Sequence, residues 1–99
     1  MILGKVIGTV WSTRKDENLV GSKFLIVRQL NLDYTPNENF VVAVDSVGAG
    51  VGEIVLCAQG SSARQTAITK NKPVDAVIMA IVDKLDVSVK EKLAEMVEE

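Results

Sequence analysis

The sequence contains no histidine, and Cys57 is its only cysteine. Histidine is the usual general base near neutral pH and the commonest metal ligand, so its absence disfavours both catalysis and metal binding. A lone cysteine cannot form an internal disulfide, which fits a reducing cytosol. Because Cys57 lies within the largely apolar run 53–58, we expect it to be a small buried hydrophobe. The sequence accordingly predicts no enzyme, no metal site and no cofactor.

Long apolar runs and a strong excess of charge are also missing. The longest apolar segments fall far short of the roughly 20 residues that a membrane-spanning helix needs. Residues 1–5 do not form a basic leader, so we expect neither a membrane nor an export pathway. The 11 basic and 13 acidic residues give a formal net charge of −2, and aromatic residues make up only 4% of the chain. This nearly balanced charge gives little electrostatic attraction to a polyanion, so no nucleic-acid partner is expected.

Aliphatic residues are abundant, since hydrophobic residues make up 47% of the 99 positions while aromatic residues are few. A chain of this length forms one domain with a small core. Segments rich in β-branched and aliphatic residues predict five strands, over residues 2–11, 23–30, 40–47, 53–59 and 74–84. Gly4 and Gly8 interrupt the first of them, which indicates a sharp bend or another backbone lying close.

The segments between the predicted strands contain loop and helix signals. Residues 12–22 are polar and residues 31–39 contain Pro36, so both are predicted to be loops. Residues 60–66 are predicted to form one helical turn capped by a serine. The C-terminal residues 87–99 are predicted to form a short helix, in which Ser88 and Glu91 have the spacing of a capping box.

These elements predict a mainly β fold, a small five-stranded OB-like β-barrel with a short helical turn before the last strand. Residues 1–86 would form the barrel domain and residues 87–99 the C-terminal helix. A barrel strand with one face in water should alternate apolar and polar residues, yet 40–44 and 76–82 are apolar on both faces. The C-terminal helix can cover only part of that outer surface, so the pattern favours an oligomer.

The glycine-rich stretch 48–52 (GAGVG) might be taken for a phosphate-binding loop, but its context is wrong for one. A strand follows it instead of a helix, the G-x-G-x-x-G spacing is absent, and no lysine follows. Its alternate glycines permit positive φ angles. The remaining interpretations are a tight turn, a backbone-lined opening or a subunit contact.

Asp45 and Glu53 bracket this stretch and could be read as a pair of acid/base carboxylates. No nucleophile with a base accompanies them, so structural roles are favoured. We expect Asp45 to bind backbone amides of the glycine loop, and Glu53 to pair with a basic residue of its own or a neighbouring subunit. The segment that carries Ser61, Ser62 and Arg64 could form an anion pocket, an ion pair across an interface, or a plain cap with a solvated arginine.

Residues 44–56 (VDSVGAGVGEIVL), followed by 60–64 (GSSAR), closely resemble the signature of the EutN/CcmL family, the pentameric vertex proteins of carboxysomes and metabolosomes. The opening residues 4–10 (GKVIGTV) and the stretch 13–17 also look like that family's first strand and loop. The resemblance covers residues 1–85 and leaves the C-terminal helix as a variable part.

The resemblance implies a five-stranded barrel that forms a ring of five at the corners of a polyhedral shell in the bacterial cytoplasm, beside hexameric shell tiles. A head-to-tail interface whose rotation closes after five subunits would supply such a unit. By motif position, one set of residues would shape the loop near the subunit contacts or the five-fold axis: Asp45, Gly48, Ala49, Gly50, Gly52 and Glu53. The adjoining turn would be marked by Ser61, Ser62 and Arg64.

Two other functions are compatible with the same barrel fold. The first is an OB-like binder of single-stranded nucleic acid, which the charge and the aromatic content disfavour. The second is a small ligand-binding barrel or enzyme that uses Asp45, Glu53 and Arg64, and it predicts that a ligand raises the melting temperature.

Overall fold

The computed structural model describes residues 1–12, 16–60, 63, 66 and 75–86. These residues form five strands and one 3-10 helix, and their bounds in chain order are β1 Ile2–Val10, the 3-10 helix Glu17–Leu19, β2 Phe24–Leu30, β3 Pro36–Asp45, β4 Ile54–Gln59 and β5 Ala76–Ile81. The strands close into a barrel in the order β1-β2-β3-β5-β4. Neighbouring strands are antiparallel, except that β3 and β5 are parallel. The predicted five-stranded barrel is confirmed.

The prediction of a loop over residues 31–39 is wrong in extent, because β3 already begins at Pro36. Pro36 lies opposite Leu30 at the first position of the strand, where proline is tolerated although it lacks an N–H. The connection is therefore a tight turn of five residues, closed by a hydrogen bond from Asn31 N–H to the carbonyl oxygen of Thr35 (2.8 Å). Within it, Tyr34 adopts a positive φ of 68°. The third strand also ends at Asp45, two residues earlier than predicted.

The other element bounds differ less from those predicted. The predicted loop 12–22 contains the 3-10 helix, whose first turn is capped by the carboxylate of Asp16, which accepts a hydrogen bond from Asn18 N–H (2.9 Å). Strand β5 is shorter than the predicted 74–84. Of the helical turn predicted over 60–66, Gly60 and Ala63 have 3-10 conformation, while its other positions lie largely outside the described residues. The predicted helix 87–99 lies wholly outside them.

The barrel interior is filled by aliphatic side chains with little or no exposure to solvent. The largest of these are Leu25, Ile78, Val6, Val27, Val55 and Cys57. The prediction of a buried cysteine is thus confirmed, and burial raises the pKa of the Cys57 thiol from 9.0 to about 11.

Two glycines in β1 have the roles that the sequence indicated. A Cβ on Gly4 would lie against Val27 and 2.8 Å from the carbonyl oxygen of Arg28, so the backbone of β2 passes too close for any side chain. The pairing of β1 with β2 shifts by one residue between Val6 and Gly8, which is a β-bulge that bends the strand.

A second apolar cluster lies outside the interior one and consists of Val44, Ala58, Ala63 and Val77, each at most 3% exposed. Leu19 of the 3-10 helix and Phe24 pack against it. The chain therefore covers part of its own outer barrel surface.

Among the described residues, no helix combines the length and the apolar character that crossing a membrane would require.

Candidate assembly site

The glycine loop, residues 46–53, is organised by the carboxylate of Asp45 at the end of β3. One oxygen, Oδ1, accepts hydrogen bonds from three successive backbone N–H groups, those of Val47, Gly48 and Ala49, each at 3.1 Å. The side chain of Asp45 is only 6% exposed. The expectation that Asp45 binds amides of this loop is confirmed, and the carboxylate fixes the first half of the loop.

Glu53 fixes the second half of the loop in the same way. Its Oε1 accepts a hydrogen bond from the backbone N–H of Gly50 at 2.7 Å. Among the described residues of this single chain Glu53 has no ion pair with a basic side chain, and its expected pairing with a basic residue of a neighbouring subunit stays a prediction. Of the alternate glycines, Gly48 and Gly52 have positive φ angles of 76° and 95°, whereas Gly50 does not.

Contacts to two strands hold the loop against the barrel. The N–H of Gly52 donates to the carbonyl oxygen of Val6 in β1 (2.8 Å), and the hydroxyl of Ser46 donates to the carbonyl oxygen of Ile78 in β5 (2.6 Å). Ala49 is 1% exposed and belongs to the interior cluster. The loop thus closes over the interior and is built as a rigid surface.

Lys23, just before β2, also fastens the loop. Its Nζ donates to the carbonyl oxygen of Ala49 (3.3 Å) and lies 4.0 Å from Oδ2 of Asp45. This role could not be predicted from the sequence, because Lys23 lies 26 positions before Ala49 and only the folded barrel brings the two together.

The loop carboxylates are hydrogen-bond acceptors for backbone amides, which leaves them poorly placed as an acid/base pair. Each accepts from the loop, and together they hold its conformation. Within the described part of the chain, no group of three or more Cys, Asp and Glu side chains is arranged to hold a metal ion. The remaining predicted site residues, Ser61, Ser62 and Arg64, lie outside the described residues.

An open depression of about 670 Å³ lies beside the start of β2. Its lining residues are Thr9, Val10, Trp11, Ser12, Ser22, Lys23 and Phe24. The aromatic residues Trp11 and Phe24 therefore line the same depression. The other two, Tyr34 and Phe40, do not line it, so the stacking platform of a single-stranded nucleic-acid binder is not assembled here.

The outer surface of β1, β2 and β3 carries exposed apolar side chains. Ile7 is 48% exposed, Phe40 60% and Val42 44%. The outward position of Phe40 and Val42 agrees with the predicted apolar outer face. Ile7 was not singled out from the sequence, although alternation with the buried Val6 already places it outward. The bulge then places Gly8 on the outer side as well.

The family model described as "Ethanolamine utilisation protein EutN/carboxysome" matches residues 1–83 of this chain. The chain is similar to the bacterial microcompartment shell vertex protein GrpN of Rhodospirillum rubrum, with 49% identity over 86 residues, which is 87% of this chain and 97% of that relative.

Two solved structures share the barrel. The structure of Gloeobacter violaceus CcmL superposes with a TM-score of 0.85 at 43% sequence identity, covering 89% of this chain and 91% of that one. The GrpN pentameric microcompartment shell protein from Rhodospirillum rubrum superposes with a TM-score of 0.82 at 48% identity, covering 89% of this chain and all of the other. The family match, the sequence identity and the shared barrel together establish that the chain belongs to the EutN/CcmL family.

Proposed function

We propose that this chain assembles into a homopentamer that occupies the vertices of a bacterial microcompartment shell. The observation that carries this proposal is the similarity, over the whole barrel, to a pentameric microcompartment shell protein. The exposed apolar surface of β1, β2 and β3 supports it, since such a surface on a small domain favours association. A flat layer of hexagonal units cannot close, and a pentagonal unit supplies the missing curvature.

The partners that follow from this function are four further copies of the same chain and the hexameric tiles of the shell. The location is the shell itself, inside the bacterial cytoplasm. The function is geometric and needs no reaction, so the chain acts as a non-catalytic subunit without a cofactor. Its relatives are named as shell vertex proteins, which agrees with a structural role.

The glycine loop is assigned to the subunit contacts or to the five-fold axis of this ring. Its proposed residues are Asp45, Gly48, Ala49, Gly50, Gly52 and Glu53, with Ser61, Ser62 and Arg64 in the adjoining segment. The rigid hydrogen bonding of the loop and the 66% exposure of Val51 at its tip support this assignment, because a fixed and exposed loop can present a constant surface to a neighbour.

Substitution of the loop tests its position. Gly50→Arg adds a long charged side chain at a position without a positive φ, so the substitution itself does not strain the backbone. If the loop lies at a contact or at the axis, the variant forms fewer pentamers or shows an altered axial opening in its structure. Unchanged pentamers with an unchanged opening would place the loop elsewhere.

The oligomeric state tests the function itself. Native mass spectrometry, supported by light scattering over a range of concentrations, is expected to show a dominant species of five subunits. A stable monomer at all concentrations would contradict the proposal. A monomer that shifts on addition of single-stranded DNA would favour the nucleic-acid barrel instead.

A further inference from the structure

We propose that the ring contact joins two different apolar faces of the barrel, one on β1, β2 and β3 and the other on β1, β4 and β5. This inference rests on the proposed pentamer and assigns the surfaces by which one copy binds the next.

The first outer face is defined by Ile7, Val10, Ile26, Phe40 and Val42. Ile26 lies between Gly8 of β1 and Val42 of β3 in the strand pairing, so these positions form one row across the sheet. Gly8 has no side chain to shield Ile26. A shallow depression of about 520 Å³, lined by Ile7 and Arg28 among others, borders the face and gives it a concave part.

The second outer face is defined by Leu3, Ile54, Leu56, Met79 and Ala80. Leu56 of β4 pairs with Leu3 of β1 on one side and with Ala80 of β5 on the other, which places the three in one row. Their neighbours Val55 and Ile78 are fully buried inside the barrel. Met79 lies where the pairing of β4 and β5 shifts, and it is 39% exposed.

The two faces are separated by the part of the surface that the chain covers itself. The strand order is β1-β2-β3-β5-β4, so β2 and β3 lie on one side of the barrel and β5 and β4 on the other. Between the faces, Val44, Val77 and Ala58 form the outer cluster that is already buried. Among the described residues two apolar faces therefore remain, and they lie on different parts of the barrel.

Five-fold symmetry requires this kind of arrangement. In a cyclic ring each copy meets one neighbour with one surface and the other neighbour with a different surface, and only a two-fold contact pairs a surface with itself. A subunit of a closed ring must therefore carry two complementary patches on different sides. The two outer faces satisfy that requirement.

The first face exposes part of the apolar area that such a contact needs. Phe40 is 60% exposed and Trp11, at the edge of the first face, is 89% exposed, so these two side chains alone present roughly 250 Å² of largely apolar surface. A stable interface buries about 800 Å² on each partner around an apolar centre. The aliphatic residues of the face and its polar rim can supply the remainder, so a second copy of this chain is a fitting occupant.

Two single variants test the assignment by complementation. Phe40→Asp places a charge on the first face, and Met79→Asp places one on the second. Both side chains are substantially exposed in the subunit, so both variants are expected to fold. Each variant alone is expected to lose the five-subunit species in native mass spectrometry. Val20→Asp is the matched control, because Val20 is an apolar residue, 64% exposed, outside both faces, and this variant is expected to remain pentameric.

The mixture of the two variants gives the decisive result. Each Phe40→Asp copy keeps an intact second face and each Met79→Asp copy keeps an intact first face, so one good contact can form between them. The expected product at high concentration is a heterodimer with the mass of one copy of each, and no larger ring. If each folded variant stays pentameric, or if the mixture of folded variants stays monomeric, the assignment is wrong. A monomeric parent protein would instead show that the pentamer itself is wrong.

Cross-linking tests the same contact without disrupting it. In a Cys57→Ala background, the double variant Phe40→Cys with Met79→Cys is treated with a flexible bismaleimide reagent. A ladder of covalent species up to five subunits is expected from the double variant, and monomers alone from each single variant. Efficient dimer formation by either single variant would show that a face pairs with itself and would overturn the proposal.

Discussion

The interior of the barrel and its outer surface are both apolar, but they hold side chains of different kinds. The interior is filled with valine, leucine, isoleucine, alanine and cysteine. None of the four aromatic side chains is fully buried, since Trp11, Tyr34 and Phe40 are 89%, 43% and 60% exposed and Phe24 is half-buried. The aromatic surface is thus left outside the interior cluster. We infer that aliphatic packing folds the subunit and that the outer apolar side chains serve association.

Substitutions of two adjacent residues of β5 are expected to give the largest effect and test this contrast most directly. Ile78 is fully buried in the interior and Met79 is 39% exposed. Ile78→Ala is expected to lower the free energy of unfolding by about 2–5 kcal/mol, because it leaves a cavity in a packed core. The matched variant Met79→Ala should lower it by only about 1 kcal/mol, because part of the side chain is already in water. Urea unfolding at one low protein concentration measures both, since association itself stabilises the folded state.

Equal losses in the two variants would contradict the division between interior and outer surface. The outer variant should instead show its main effect in the oligomeric state, where Met79→Ala is expected to weaken the ring and Ile78→Ala to leave its contacts intact in the folded fraction.

Two glycines of β1 give a second test, of intermediate size. A Cβ on Gly4 would lie 2.8 Å from a backbone oxygen of β2, whereas a Cβ on Gly8 would meet Ile26 Cδ1 at an ordinary 3.5 Å. Gly4→Ala is therefore expected to destabilise the fold by about 1–3 kcal/mol, because the two strands must move apart. Gly8→Ala should change the stability by no more than about 0.5 kcal/mol. Thermal unfolding followed by circular dichroism compares them, and a tolerated Gly4→Ala would show that β1 and β2 can separate freely.

A third test concerns the loop that joins the interior to the surface. Asp45→Ala removes the acceptor of three backbone amides and is expected to lower the free energy of unfolding by about 1–2 kcal/mol. Asp45→Asn keeps an oxygen acceptor, so its free energy of unfolding should fall by less. Hydrogen exchange of the amides of Val47, Gly48 and Ala49 is the more specific measurement, since it should accelerate in the alanine variant. Unchanged exchange at these amides would mean that they are protected by something other than the carboxylate.

The sequence predicts the strands well because segments rich in β-branched residues, bounded by polar connections, favour strands over helices and loops. It also identifies Asp45 as an acceptor for the glycine loop, since a short carboxylate next to such a loop has amides within reach. It fails at Pro36, where the rule that proline breaks a strand does not hold at the first strand position. It does not anticipate the loop contact of Glu53, because the turn between Gly50 and Gly52 brings the backbone amide of Gly50 within 2.7 Å of the carboxylate only in the folded chain.

The candidate contact surfaces are only half visible in the sequence. Alternation shows that Phe40 and Val42 share one face of β3, and it places Ile7 and Met79 outward beside the buried Val6 and Ile78. The bulges in β1 and β5 instead decide that Val10 and Ala80 lie on the outer surface. A shift of one residue reverses inward and outward positions, and its place depends on pairing with distant strands. The role of Lys23 depends in the same way on a contact across 26 positions.

The last test is a pH dependence that belongs to the interior alone. Burial raises the pKa of the Cys57 thiol to about 11, above its ordinary value of 9.0, so between these values the folded chain holds a proton that the unfolded chain releases. The stabilisation is fully present below pH 9 and is lost as the pH rises towards 11. The free energy of unfolding, measured from pH 8 to 11, should fall more steeply with pH for the parent chain than for Cys57→Ala, which lacks the titrating group.

Thiol labelling separates the interior from the surface in the same experiment. In the folded parent chain, Cys57 is expected to react slowly with a maleimide at pH 7, because it is buried and protonated. In a Cys57→Ala background, Val51→Cys places a thiol at a position that is 66% exposed in the parent chain and should react rapidly. Rapid labelling of Cys57 under native conditions, together with identical pH profiles for the parent and Cys57→Ala, would mean that the interior opens to solvent. The closed aliphatic core on which the contrast depends would then not exist.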